Sequence, residues 1–199
     1  NFFGRLIPSH SPRAFLDLII SWGGQYHMDL ELHPAVTLAG RAFHILVCPL
    51  QMFAESLNSH LDLQRLCVLY VCGNYSRVLS SLDRSITSMQ VRRAFTAFQL
   101  MTVLEECRHT LLIIEHDPLL YEDAEEMVEY VARAMREASR SCTVLLYSPA
   151  SDPFLEVMTD YADRVFYFSK GPGAPPRPSA KSSKKTQTIP TDQTTLEAF

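Results

Sequence analysis

Leu66-Cys67-Val68-Leu69-Tyr70-Val71 is an unbroken run without a charged group. A strand with one wet face would alternate polar and apolar residues, so a continuous run of this kind predicts a strand covered on both sides, as in a parallel sheet between helices. Leu111-Leu112-Ile113-Ile114, Thr143-Val144-Leu145-Leu146-Tyr147 and Val165-Phe166-Tyr167-Phe168 read the same way. Arg41 to Val47 and a short stretch from Met89 to Arg92 complete the predicted strands. Helical spacing fills the gaps between them. Leu50 to Leu61 offers Met52 or Phe53, Leu57 and Leu61 as core contacts, and Ala97 to Cys107 forms a second helix. Asp123 to Arg140 carries a stripe of Met127, Val131, Ala134 or Met135, and Ala138. Asp152-Pro153 starts another helix, with Asp capping and Pro in the first turn. This alternation predicts an α/β fold with a mostly parallel sheet flanked by helices.

The predicted boundaries follow composition. Residues 1–34 are read as an N-terminal helical segment, in which Phe15, Leu18, Ile19 and Trp22 share a face of a helix from Pro12 to Trp22. Residues 35–169 are the core, residues 170–190 a linker, and residues 191–199 a terminal motif. With 199 residues, 47% of them hydrophobic, the chain suffices for a single domain and a tail. No apolar run approaches a membrane span, and no secretory leader is recognisable, so a cytoplasmic protein is expected. Cys48, Cys67, Cys72, Cys107 and Cys142 are scattered without C-x-x-C spacing and read as small core residues rather than metal ligands or disulfides. His109, Glu115, His116 and Asp117 flank a strand whose two-residue period sends neighbours to opposite faces, which argues against a shared metal. Glu122, Asp123, Glu125 and Glu126 read as an acidic helix start that favours the helix dipole. No nucleophilic triad can be picked out by spacing.

Charge separates the two parts of the chain. Residues 170–199 hold five basic and two acidic side chains, about +3, which leaves about −7 on the rest of a chain whose net charge is −4. An acidic body lacks the footprint of a strong nucleic-acid binder. Gly171-Pro172-Gly173-Ala174-Pro175-Pro176-Arg177-Pro178 is a stiff spacer, and the polar stretch after it is too poor in apolar groups to fold alone, so a disordered tail is expected. Lys181, Lys184 and Lys185 in that stretch are candidates for phosphate or acidic-surface contacts, as are Arg92 and Arg93 in the body.

The sequence Gln193-Thr194-Thr195-Leu196-Glu197-Ala198-Phe199 resembles the PCNA-interacting motif of archaeal and eukaryotic replication and repair proteins. In one turn of 3₁₀-like helix, residues three apart share a side, so Leu196 and Phe199 would project together as an apolar plug. Gln193 would offer an amide to a polar pocket beside it. The motif usually has a second aromatic directly after the first; with the sequence ending at Phe199, a weaker anchor is expected. Because ordering the tail costs entropy, roughly micromolar affinity is expected.

The body carries a second resemblance. Val68 to Tyr75, Arg93-Ala94-Phe95-Thr96-Ala97-Phe98-Gln99-Leu100, Leu111 to Glu115, Asp152-Pro153-Phe154-Leu155 and Ala162-Asp163-Arg164-Val165 occur in the order of the ATPase core of RecA/RadA-superfamily recombinases and their paralogues. The likeness covers roughly residues 35–168 and implies a RecA-like fold. A nucleotide-binding member needs G-x-x-x-x-G-K-[ST] after the first core strand. Val47-Cys48-Pro49-Leu50-Gln51-Met52-Phe53-Ala54-Glu55-Ser56 stands there instead, without Gly or Lys. Glu115 occupies the place of the magnesium-associated acid, but Cys72-Gly73-Asn74 lacks the acidic pair that often follows the second strand. Between the last two core strands there is little room for a long DNA-binding loop.

Together the resemblances imply a pseudo-ATPase without cofactor or metal: an archaeal, non-catalytic RecA-like adaptor or regulator on the PCNA sliding clamp, acting in DNA replication or repair. They imply contact with DNA mainly through the clamp, association with the nucleoid by that route, and a recombinase paralogue or DNA polymerase as further partner. Two alternatives stay open. One is a divergent ATP-dependent recombinase mediator binding single-stranded DNA, the other a competitive PCNA inhibitor.

Overall fold

The computed structural model describes residues 29–83, 89–169 and 187–190. A hairpin of β1 (Leu30–His33) and β2 (Val36–Leu38) opens the described chain. The main sheet follows with β3 (Phe43–Val47), β4 (Val68–Cys72), β5 (Met89–Arg93), β6 (Leu111–Glu115), β7 (Thr143–Ser148), β8 (Arg164–Ser169) and β9 (Gln187–Pro190). Its order is β5-β4-β6-β7-β3-β8-β9, and every neighbouring pair is parallel. The helices between strands are α1 (Leu50–Ser59), α2 (Arg77–Ser81), α3 (Ala97–Glu106), α4 (Met127–Ala138) and α5 (Pro153–Thr159). The architecture is the α/β, RecA-like one expected: a parallel sheet with helices on both faces. Among the described residues no helix is long and apolar enough to cross a membrane.

The strand period explains the two cores. Phe43, Ile45, Leu69, Val71, Leu112, Ile114, Val144 and Leu146 point to one face, where α3, α4 and α5 supply Leu100, Val131, Met135, Leu155 and Met158. Leu46, Val68, Tyr70, Leu111, Ile113, Leu145 and Tyr147 point to the other, which α1, α2 and the hairpin cover with Phe53, Leu57, Val78, Leu30 and Val36. Each central strand is thus buried on both sides, as its sequence demands.

Several local expectations need correction. Leu30–His33 is a strand rather than part of a helical segment, and the hairpin straddles the boundary expected at residue 34. The first helix stops at Ser59, because His60 takes an extended conformation and Leu61 enters a 3₁₀ turn through Arg65. The predicted acidic helix start falls ahead of α4: the helix begins at Met127, and Glu129 alone is the acid of its first turn. Its buried stripe is Val128, Val131, Ala132 and Met135, with Met127, Ala134 and Ala138 half-buried against the same core. Within the stretch read as linker, Gln187–Pro190 forms β9 at the sheet edge. The helix expected from Pro12 to Trp22 lies outside the described residues.

Candidate functional site

In open α/β sheets, ligands bind beyond the carboxyl ends of the strands. Here that edge starts with the β3–α1 connection, which consists of Cys48 and Pro49 alone. Cys48 N–H already donates to Ser148 O at 3.2 Å, and Pro49 has no N–H. Phe53 N–H, in the first turn of α1, is taken by Pro49 O at 3.2 Å. No side chain caps the helix. Above this turn Phe53 stacks on Tyr147, with ring centroids 4.0 Å apart and planes 12° from parallel. Burial pushes the Cys48 thiol up to about 12, which keeps it protonated and inert. A backbone cradle for phosphate needs several free N–H groups and room for the anion. The turn itself supplies one N–H, that of Cys48, and it is already taken.

Glu115, at the end of β6, accepts a hydrogen bond from the Tyr70 hydroxyl at 2.9 Å. Burial, and then the neighbouring Glu115 charge, drive the Tyr70 phenol well above its ordinary value, so the tyrosine stays a donor. The Glu115 carboxylate is therefore tied to a fully buried tyrosine. His116 follows it, buried, with Nε2 2.6 Å from Asp152 Oδ2. Its pKa is lowered, first by burial and against the attraction of Asp152, so the neutral ring donates through Nε2–H and presents Nδ1 without a partner. The second oxygen of Asp152 accepts Leu155 N–H at 2.9 Å and caps α5, as its sequence predicts. Asp117 Oδ1 accepts Leu119 N–H at 3.1 Å. A Cβ at position 73 would lie 2.3 Å from Asp117 Oδ2, so the glycine there permits a close approach of two loops.

The structure separates the residues that suggested a metal. His109, before β6, contacts Gln90 Oε1 at 3.0 Å and Cys107 Sγ at 3.9 Å, whereas His116 and Asp117 follow the strand at its opposite end. Among the described residues no group of three His, Cys, Asp or Glu side chains is arranged to hold a metal ion. Arg92 pairs with Glu106 at 2.8 Å, and Arg93 donates to Asn74 O. Lys181, Lys184 and Lys185, and the whole motif from Gln193 to Phe199, lie outside the described residues.

Two features of this edge escaped the sequence reading. Tyr75, Phe95 and Phe98 stand exposed, at 89%, 54% and 65%, on the segments that follow β4 and β5. Apolar periodicity cannot distinguish an exposed aromatic beside a helix start from a core one. The other is an open apolar cleft of about 460 Å³ where β3, β7 and β8 end, walled in part by Leu50, Ala150 and Tyr167. It is lined without a charged residue.

Fold and edge together define a RecA-like α/β domain whose β3–α1 turn, Cys48-Pro49, carries neither Gly nor Lys. Over 123 residues the chain is 32% identical to an uncharacterized protein of Archaeoglobus fulgidus, a match covering 61% of this chain. It spans 62% of the length of that relative. No protein-family model matches the sequence.

Proposed function

We propose that this chain is a non-catalytic adaptor or regulator that docks on the PCNA sliding clamp through Gln193, Leu196 and Phe199 and serves DNA replication or repair. The observation that carries the non-catalytic half is the Cys48–Pro49 turn, which offers phosphate neither a glycine nor a lysine and spends its one N–H on Ser148. Support for the clamp half is the spacing of the amide, aliphatic and aromatic groups in the tail. The tether keeps the body at high local concentration near whatever else occupies the ring.

Titration of PCNA with the intact chain and with a chain ending at Thr191 tests the reading. Binding is lost with the last eight residues, and Leu196→Ala or Phe199→Ala costs about 2 kcal/mol, roughly 30-fold in Kd. Equal binding by the shortened chain would overturn the clamp assignment. Calorimetry with ATP and magnesium yields no heat of binding on this reading; saturable binding would overturn the non-catalytic one.

The exposed Tyr75, Phe95 and Phe98, with Arg93 on the adjoining strand, favour a second reading, a mediator that stacks bases of single-stranded DNA. Fluorescence anisotropy with an oligothymidylate separates the two: the adaptor leaves it unchanged at moderate salt. A competitive clamp inhibitor would differ from an adaptor in suppressing clamp-stimulated primer extension, with Phe199→Ala relieving the suppression.

A further inference from the structure

β9 joins the sheet parallel to β8, with Gln187 opposite Phe166 and Pro190 opposite Ser169. The chain therefore leaves β9 at the carboxyl edge, the same edge at which β3 delivers Val47 and β7 delivers Ser148. In the register of the sheet, Val47 lies beside Ser148 on one side and Tyr167 on the other. The apolar cleft formed there, by Val47, Pro49, Leu50, Ala150, Tyr167 and Phe168 among others, thus begins one strand spacing from β9, at β8, and extends to the end of β7, three spacings away, about 5 to 15 Å across the sheet.

Leu196 follows Pro190 by six positions and Phe199 by nine. At no more than about 3.5 Å per residue, Leu196 reaches up to about 20 Å from the end of β9 and Phe199 up to about 30 Å. Both distances exceed what the cleft demands, so the tail can fold back with slack. Chemistry matches as well as reach. A volume of about 460 Å³ accommodates one aliphatic and one aromatic side chain. The uncharged lining gives nothing to a phosphate or to an acidic peptide, and burying two apolar groups there removes their surface from water.

From this juxtaposition we propose that the cleft at the ends of β3, β7 and β8 holds the chain's own Leu196 and Phe199, so that the side chains read as clamp anchors are sequestered on the body until the clamp competes for them. The regulatory half rests on the clamp reading; the docking half does not. Tethering supplies an effective concentration on the order of millimolar, so an intrinsic affinity of only about 0.25 mM keeps the tail docked most of the time. Apparent clamp affinity then falls by the fraction of tails that are free, about fivefold at such values.

The full chain, labelled with ¹³C at Val, Leu and Ala methyls, is compared by NMR with the Leu196→Ala/Phe199→Ala double variant. Methyl shifts at Val47, Leu50 and Ala150 are expected, unchanged on tenfold dilution. Absent shifts overturn the proposal, and shifts that vanish on dilution overturn it in favour of a second copy's tail. Ala150→Arg, at an exposed position, blocks the cleft and is expected to tighten PCNA binding about fivefold. Unchanged or weaker clamp binding by Ala150→Arg overturns the sequestering role. Methyl shifts with no clamp binding by any form would fail the clamp reading and its regulation while leaving the docking intact. Clamp binding without methyl shifts would do the reverse.

Discussion

The two halves of the sheet's carboxyl edge are built from different materials. Around β4 and β6, polar groups meet one another: Tyr70 with Glu115, His116 with Asp152, Asp117 with the backbone of its own turn. Around β3, β7 and β8, the Phe53–Tyr147 stack and an uncharged cleft take over. One half keeps carboxylates that are already engaged; the other is built from buried rings, a proline and an uncharged cleft.

The largest test of that contrast removes the stack. Tyr147→Ala is expected to lose about 3–5 kcal/mol in urea unfolding, since the ring is fully buried against Phe53. Tyr147→Phe should be at least as stable as the parent, because the hydroxyl it deletes is buried without a partner. On the polar half, Asp152→Ala removes a helix cap and the partner of His116, for about 1–2 kcal/mol by the same measurement.

Acid sharpens the comparison further. Burial holds the pKa values of both His44 and His116 below the ordinary 6.5, so the unfolded chain takes up protons first as pH falls. Their contribution is present in full above about pH 6.5 and declines as the pH drops through the lower folded values. Urea midpoints measured from pH 7 to pH 5 should fall, more steeply in Asp152→Ala, which loses the charge that partly offsets burial at His116. Gly73→Ala should cost about 1 kcal/mol by thermal melting, as Asp117 is displaced. The smallest effect is expected from Arg92→Ala, under about 0.5 kcal/mol, because its pair with Glu106 is half-exposed.

How legible this was depends on the kind of signal. Strands buried on both faces, such as Val68–Cys72 and the first four residues of Leu111–Glu115, announce themselves because they run without a charge. Asp152-Pro153 was equally plain, a cap and a first-turn proline that need only local chemistry. The β1–β2 hairpin was missed because two short strands around Pro34-Ala35 carry too few residues to establish a period of two. β9 was missed because an edge strand is held by backbone hydrogen bonds to β8, which composition does not record. At the site, the absent glycines and lysine could be read directly from residues 47–56. The pairings of Tyr70 with Glu115 and of His116 with Asp152 join residues 45 and 36 positions apart, and only the folded sheet brings them together.

β5 stands outermost in the described sheet, with Gln90, Val91, Arg92 and Arg93 exposed along it. A strand with one bare flank is a template on which another chain can crystallise into a growing ribbon. Charged side chains at such a margin, here Arg92 paired with Glu106 and Arg93 held on Asn74 O, raise the cost of edge-to-edge stacking, a consequence of their place that requires no nucleic acid.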